Sequence, residues 1–394
     1  MARIEVDADN LESWLAHATS LTDIVFAAVD LRPYDDRLAG LAQARDDDEA
    51  CVFLGCHLGP RLAACAAECF AIVFPVLPGR LYDAYRRHLY RPTDLFDRFD
   101  PADPASYHRC MDWLNYVRYL QVVDGKPVRP PALVPVGPDE VLARRLHDHH
   151  VDEALDRFLL RHCRPHRRGV VAIMGGHDTL RSDPVFLETA SLARELTRRG
   201  FLVATGGGPG LMEAANLGAY LADHADPDLA RAVAILARAP RYDHPEWLSR
   251  AFDVRNRFAP STTHSLGLPT WWYGHEPPNA FASHIAKYFE NSLREEGLLS
   301  LATHGIVFAA GNAGTVQEIF QDACQNYYDT YGHKSPMILF GADYWNPSAP
   351  GAMTKPAWPL LQQLAREKRF EHLISLTSDP ADVLAAIERF DPAG

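Results

Sequence analysis

From Gly169 onward, short apolar runs alternate with longer amphipathic stretches, and glycine-rich turns follow two of the runs. A chain written this way has few options. Parallel strands need crossovers of a dozen or more residues, and helical crossovers cover the sheet on both faces. Val170 to Met174 reads as the first buried strand, feeding Gly175-Gly176. Asp183-Pro184 opens a helix that Gly200 closes, since proline suits a first helical turn and glycine an exit. Phe201 to Thr205 is the next strand and runs into Gly206-Gly207-Gly208-Pro209-Gly210. Leu211 to Leu221 reads as helix, Ala232 to Leu236 as a third strand, and Gly305 to Ala310 as a fourth. That strand ends in Gly311-Asn312-Ala313-Gly314-Thr315. Val316 to Tyr328 carries Val316, Ile319, Phe320, Ala323 and Tyr327 on one helical stripe. Strands at 336–340 and 373–377, with helices near 357–367 and 380–390, complete the pattern. The expected fold is α/β: a Rossmann-like doubly wound parallel sheet with right-handed crossovers.

Residues 1–165 read as an additional, smaller α/β domain, and 166–394 as the main one. Ala50 to Cys56 and Phe70 to Pro75 look like buried strands flanking a helix, residues 142–163 read as helix, and Arg164 to Gly169 as a hinge. Cys65 and Cys69 stand at i, i+4. Two small buried residues are the ordinary reading of that pair, a metal half-site the chemical one. His147-Asp148-His149-His150 is expected on a solvated face, because adjacent side chains diverge on a helix, so no metal is expected there. Between the third and fourth strands, residues 238–301 form an unusual segment. Its middle, Leu268 to Asn279, includes Trp271-Trp272-Tyr273 and is expected to cover either the cleft or a subunit interface.

At 394 residues the chain is long enough for two or three domains. Its 39 basic and 51 acidic side chains give a formal charge of -12, which argues against a general nucleic-acid binder. The first residues carry acids where a signal peptide would carry bases, and no apolar run is long enough to span a bilayer. With seven cysteines, an odd number without paired spacing, the expectation is a cytoplasmic protein with reduced thiols.

The two glycine loops lie where parallel sheets bind ligands. A helix start offers unpaired N–H groups and partial positive charge, so it can hold a phosphate without Lys or Arg. The spacing excludes two readings. Gly206 to Gly210 does not match G-x-G-x-x-G, and no G-x-x-x-x-G-K-[ST] occurs, so a dinucleotide fold and a P-loop are both disfavoured. A mononucleotide or sugar phosphate remains. Glu318, three residues after Thr315, has an ordinary reading as the acidic member of a capping box. Its chemical reading is a carboxylate beside a bound sugar phosphate.

Gly206 to Met212, followed by Gly311 to Glu318, resembles the LOG family, long mislabelled "lysine decarboxylase", whose marks are GGGxxGLM and PGGxGTxxE. The resemblance spans about Gly169 to Phe390, with both motifs in order. It implies a phosphoribohydrolase that cleaves the N-glycosidic bond of nucleoside 5′-monophosphates, of the AMP or cytokinin type, to free base and ribose 5-phosphate. It implies Glu318 and Arg294 as catalytic residues, and a homo-oligomer. Gly311, Asn312, Ala313, Gly314 and Thr315 are expected to bind the phosphate. Gly175, Gly206, Gly207, Gly208, Gly210, Met212 and Glu213 are expected around base and ribose, with Trp271, Trp272 or Tyr273 stacking on the base. Arg294 is expected to orient phosphate or ribose and to help hold Glu318 ionised. No cofactor is expected. Lys287 is the only lysine near the cleft segments and has no partner set for pyridoxal chemistry. Ala310, Asn312 and Glu213 depart from the family pattern; asparagine tolerates left-handed backbone, so Asn312 is expected to keep the turn. The competing expectation is a nucleotide sensor without turnover, in which Glu318 is only a cap.

Overall fold

The computed structural model describes the chain except residues 1–3, 44–50, 69–70, 119–120, 124–125, 129–136, 164–167, 272–275, 333, 349–353 and 393–394. Two compact units form. The smaller comprises residues 1–87 and 135–150, the larger 88–134 and 151–394. The sequence reading cut the chain once, near residue 165, whereas the chain passes between the units three times.

The smaller unit holds a four-stranded parallel sheet, β1 (Ile4–Val6), β2 (Ile24–Ala27), β3 (Val52–Leu54) and β4 (Ile72–Phe74), in that order. Phe26 and Phe53 stack at 5.3 Å in its core, with Leu15, Leu38 and Leu62 buried beside them. Cys65 belongs to this core, its thiol 3.9 Å from the Ala39 carbonyl. Cys69 lies outside the described residues, as does most of the expected hinge. Of the cluster 147–150, His149 is exposed as expected, while His147, Asp148 and His150 are buried. The reason is aromatic packing within the unit, Tyr82 edge-on to His147 and Tyr85 edge-on to His150. His147 Nδ1 meets Asp148 Oδ1 at 2.9 Å. Among the described residues no group of side chains is arranged to hold a metal.

In the larger unit a two-stranded antiparallel ribbon, β5 (Gln121–Val123) and β6 (Lys126–Val128), precedes the main sheet. Seven parallel strands then follow: β7 (Val170–Met174), β8 (Leu202–Thr205), β9 (Ser265–Gly267), β10 (His284–Ile285), β11 (Ile306–Phe308), β12 (Met337–Phe340) and β13 (Ile374–Thr377). Their spatial order is β10-β9-β8-β7-β11-β12-β13, a doubly wound sheet. Every residue of β7, β8, β9, β11 and β12 is buried, as a sheet covered on both faces requires. Helices Pro184–Arg198, Leu211–Tyr220 and Pro380–Arg389 pack one face through Leu192, Leu196, Leu211, Ala215, Val383 and Ile387. No helix among the described residues is long and apolar enough to cross a membrane.

Two expectations fail here. The stretch 232–236 is not a strand but the end of helix Asp226–Leu236. Proline opens this helix, and Leu229, Ala232 and Leu236 bury one stripe; a five-residue apolar run alone does not distinguish the two structures. The third strand is β9, which lies after another helix, Trp247–Arg257. The helix expected over 280–296 begins only at Asn291. Residues 280–289 run extended instead. Ala286 N–H donates to Gly267 at 2.9 Å and Tyr288 N–H to Pro269 at 3.0 Å, ladder bonds that outweigh the local helical propensity of the alanines.

Candidate functional site

The chain leaves β7 for β8, β9 and β10 on one side, then returns to place β11 on the other. Connections from β7 and β11 therefore diverge, and a crevice opens beyond their carboxyl ends. A cleft of about 190 Å³ lies there. Gly175, Gly176 and His177 enter it after β7, Gly206 after β8, and Asn312 to Thr315 after β11. Met212 comes from the helix behind the first glycine loop. Glu276, Arg294 and Glu295 come from the long segment between β9 and β11, and Glu318 from helix Ala313–Tyr328.

The first loop is held by buried amides. Asn279 donates to Gly208 O at 3.1 Å and to Asn216 Oδ1 at 2.9 Å, while its own N–H donates to Gly207 O at 2.8 Å. Asn216 donates to Leu266 O, and Thr205 Oγ1 receives the Gly207 N–H at 3.0 Å. Gly207 and Gly210 take positive φ, 73° and 67°. A β-carbon on Gly206 would collide with Arg294 Nη2, so glycine here lets the guanidinium approach the backbone.

The second loop is tighter. A β-carbon on Gly311 would strike the Thr315 hydroxyl, and Tyr344 OH donates to Gly311 O at 2.6 Å. Asn312 is the N-cap, with φ -90° and ψ -153°. It needs no left-handed backbone, contrary to expectation, because an N-cap adopts extended geometry. The helix begins at Ala313, three residues earlier than a Thr315 cap requires. Thr315 and Glu318 consequently form no capping box, and Glu318, sixth in the helix, lines the cleft.

Glu318 Oε1 lies 3.5 Å from Arg294 Nη1, each side chain 12 % exposed. Arg294 sits in helix Asn291–Ser300 and is braced by Nε donating to Leu268 O at 2.8 Å. Burial pushes the Glu318 carboxyl up to about 7; Arg294 pulls the other way, and Glu295 and Glu276 add to the rise. Arg294 thus acts in the direction expected of a group that helps hold Glu318 ionised. Its charge is present, but desolvation is the larger effect. Glu295 is engaged by Asn291 at 2.6 Å and Gln317 at 2.8 Å. Glu276 Oε1 faces His177 Nδ1 at 3.4 Å, His177 Nε2 faces Asp178 Oδ1 at 3.2 Å, and Asn312 Nδ2 reaches Asp178 Oδ2 at 3.4 Å. Burial also raises Glu276, while His177 and Arg294 oppose the rise.

Glu213, expected beside the ribose, is elsewhere. It is fully buried and held by Arg181 in a two-pronged pair, Nε to Oε2 at 2.8 Å and Nη2 to Oε1 at 2.5 Å. Arg181 also donates to Ala239 O and Trp247 O, with its guanidinium 4.6 Å over the Trp247 ring. An acid this close to a helix start satisfies a buried arginine instead of a ligand. Gly207 and Gly210 shape the loop from behind, and Gly208 sits against Met212 and Glu276. Trp271 does not stack over the cleft. It is buried against Tyr90 and Phe289, with Nε1 donating to Asp112 at 3.1 Å. Lys287 Nζ meets the same Asp112 at 2.5 Å, and burial lowers its pKa. Trp272 and Tyr273 lie outside the described residues. His177, Glu276 and Glu295 escaped the sequence reading. A histidine three residues past a strand end was a signal; Glu276, inside the long segment, gave none.

No protein-family model matches the chain, and no curated protein is similar to it. Among solved structures, a molybdenum cofactor binding protein from the phototrophic bacterium Rippkaea orientalis is 16% identical, covering 57% of this chain and 98% of its own, with a TM-score of 0.34. The Moco carrier protein from Chlamydomonas reinhardtii is likewise 16% identical, covering 57% of this chain and 97% of its own, at TM-score 0.34.

Proposed function

We propose that the protein is a hydrolase that cleaves the N-glycosidic bond of nucleoside 5′-monophosphates, releasing free base and ribose 5-phosphate. One observation carries the reading: a buried carboxylate, Glu318, paired with Arg294 at 3.5 Å, lines a cleft that also receives the start of a glycine-rich helix. The N–H groups of Ala313, Gly314 and Thr315, in the first helical turn, supply donors for a 5′-phosphate. Breaking the ribosyl bond places positive charge on the sugar. An ionised Glu318 stabilises that charge more than the neutral ground state, or takes a proton from the attacking water. Arg294 orients the sugar phosphate and favours the ionised form of Glu318. The test is chromatography of AMP incubated with the protein: free adenine is expected. Binding without release over hours would favour the sensor.

The pH dependence follows from Glu318. The reactive form is the anion, so kcat/KM on AMP is expected to climb between about pH 6 and 8, with its inflection near 7. Arg294→Ala removes the group that lowers this pKa, so its residual activity should rise at higher pH than in the wild type. An inflection that stays in place would detach Arg294 from Glu318.

The second loop gives a separate expectation. Gly311→Ala drives a methyl group into Thr315 and displaces the helix start. Since a 1 Å misplacement can cost about 100-fold, AMP turnover should fall by roughly that factor, with a loss of about 1–3 kcal/mol in stability from the overpacking.

A further inference from the structure

Among the described residues, two cleft carboxylates, Glu318 and Glu276, are each met through one oxygen, and of these only Glu276 lies outside the catalytic pair. Glu318 is paired with Arg294, and Glu295 is bonded by Asn291 and Gln317. Asp178 meets both His177 and Asn312. Among the described residues Glu276 makes one ion-pair contact, Oε1 to His177 Nδ1 at 3.4 Å. Its Oε2 stands against Gly208, 3.4 Å from where a β-carbon on that residue would lie. Asp178 Oδ1 stands 3.2 Å from the other ring nitrogen, so the imidazole lies between two carboxylates and faces Glu276 with Nδ1. At about 190 Å³ the cleft is smaller than the roughly 300–1,000 Å³ of sites that enclose a whole drug-sized ligand. That size suits the sugar phosphate part of a nucleotide, with the base reaching outward. Around such a sugar, the hydroxyls at C2′ and C3′ are donors, and a carboxylate with an uncommitted oxygen is a strong acceptor for them.

We propose that Glu276, positioned by His177, accepts hydrogen bonds from the ribose 2′ and 3′ hydroxyls, and so restricts the site to ribonucleotides over 2′-deoxyribonucleotides. This rests on the glycosidase reading for its kinetic consequence but not for its binding consequence. Hydrogen bonds at the 2-hydroxyl strengthen as the glycosidic bond breaks, so the preference should be larger in turnover than in binding.

Two measurements separate the outcomes, both at pH 8, because burial raises the Glu276 carboxyl and alkaline solution favours its anion. The first is calorimetric binding of ribose 5-phosphate and of 2-deoxyribose 5-phosphate to wild type, Glu276→Gln and Glu276→Ala. The wild type should prefer the ribo form, and both variants should lose about 10–100-fold of that preference. Retained affinity for the deoxy compound shows the site is still folded. The second is release of adenine from AMP and from dAMP, compared as the change in their kcat/KM ratio between wild type and variant. Because dAMP has an intrinsically weaker glycosidic bond, only that change is informative, and a fall at least as large as in binding is expected. An unchanged ratio in both measurements, or equal loss of both sugars, overturns the role of Glu276. A preference in binding without any base release keeps Glu276 as the diol reader and sinks the glycosidase reading instead.

Discussion

Replacing Glu318 by glutamine is expected to lower adenine release from AMP by about 100-fold or more, while making the folded protein more stable above neutral pH. The first effect follows from removing the anion that meets the developing positive charge, since preorganised charge of this kind is commonly worth 100- to 1,000-fold. The second follows from linkage. Burial raises the folded-state carboxyl from 4.5 to about 7, so between those values the folded protein holds a proton that the unfolded chain has released. Stability therefore declines as pH rises through that window, by at most about 3 kcal/mol from this one group. Glutamine carries no such penalty. Some of the gain is offset because Arg294 loses its partner, although its bond to Leu268 O remains. Denaturant unfolding at pH 5 and pH 8 should show the variant's advantage only at the higher value. A variant that is slower but destabilised equally at both pH values would make Glu318 a structural residue.

The Arg181–Glu213 pair should behave in the opposite way. With side chains 1 % and 0 % exposed, neither charge has water to fall back on. Arg181→Met or Glu213→Leu alone is expected to destabilise by about 3–5 kcal/mol, because each leaves the other charge buried and uncompensated. The double replacement should cost far less than the sum, since an apolar pair of similar volume needs no desolvation of charge. Chemical denaturation of the two singles and the double closes the cycle. Additive losses would show that the pair is not coupled. At temperatures where Glu213→Leu remains folded, its KM for AMP should match the wild type, which a ribose-binding Glu213 would not permit.

The contrast between these two acids shows how far local pattern carries. Both follow a glycine loop, and both stand in the early turns of a helix. Glu318 turns into the cleft because helix Ala313–Tyr328 is capped at Asn312 and not at Thr315, and Arg294 is brought to meet it from another helix. Glu213 turns away because Arg181, 32 residues earlier, needs a counter-charge in the interior. Neither partner can be read from the loops themselves. Trp271 teaches the same point. Adjacent tryptophans suggested a cover, but Trp271 was claimed by Asp112, from a stretch that the sequence reading assigned to the other domain.

The order of apolar runs and glycine turns determined the doubly wound sheet and the positions of its two loops, because strand and helix periods and turn chemistry are properties of adjacent residues. Tertiary structure alone decided the rest. It placed β9 and β10 within a segment lacking their local signature, since ladder bonds to neighbouring strands override propensity there. It added Glu276 and His177 to the cleft, and it set the Glu318 carboxyl near neutrality. Burial and the approach of charges from distant segments are consequences of packing, and no window of adjacent residues contains them.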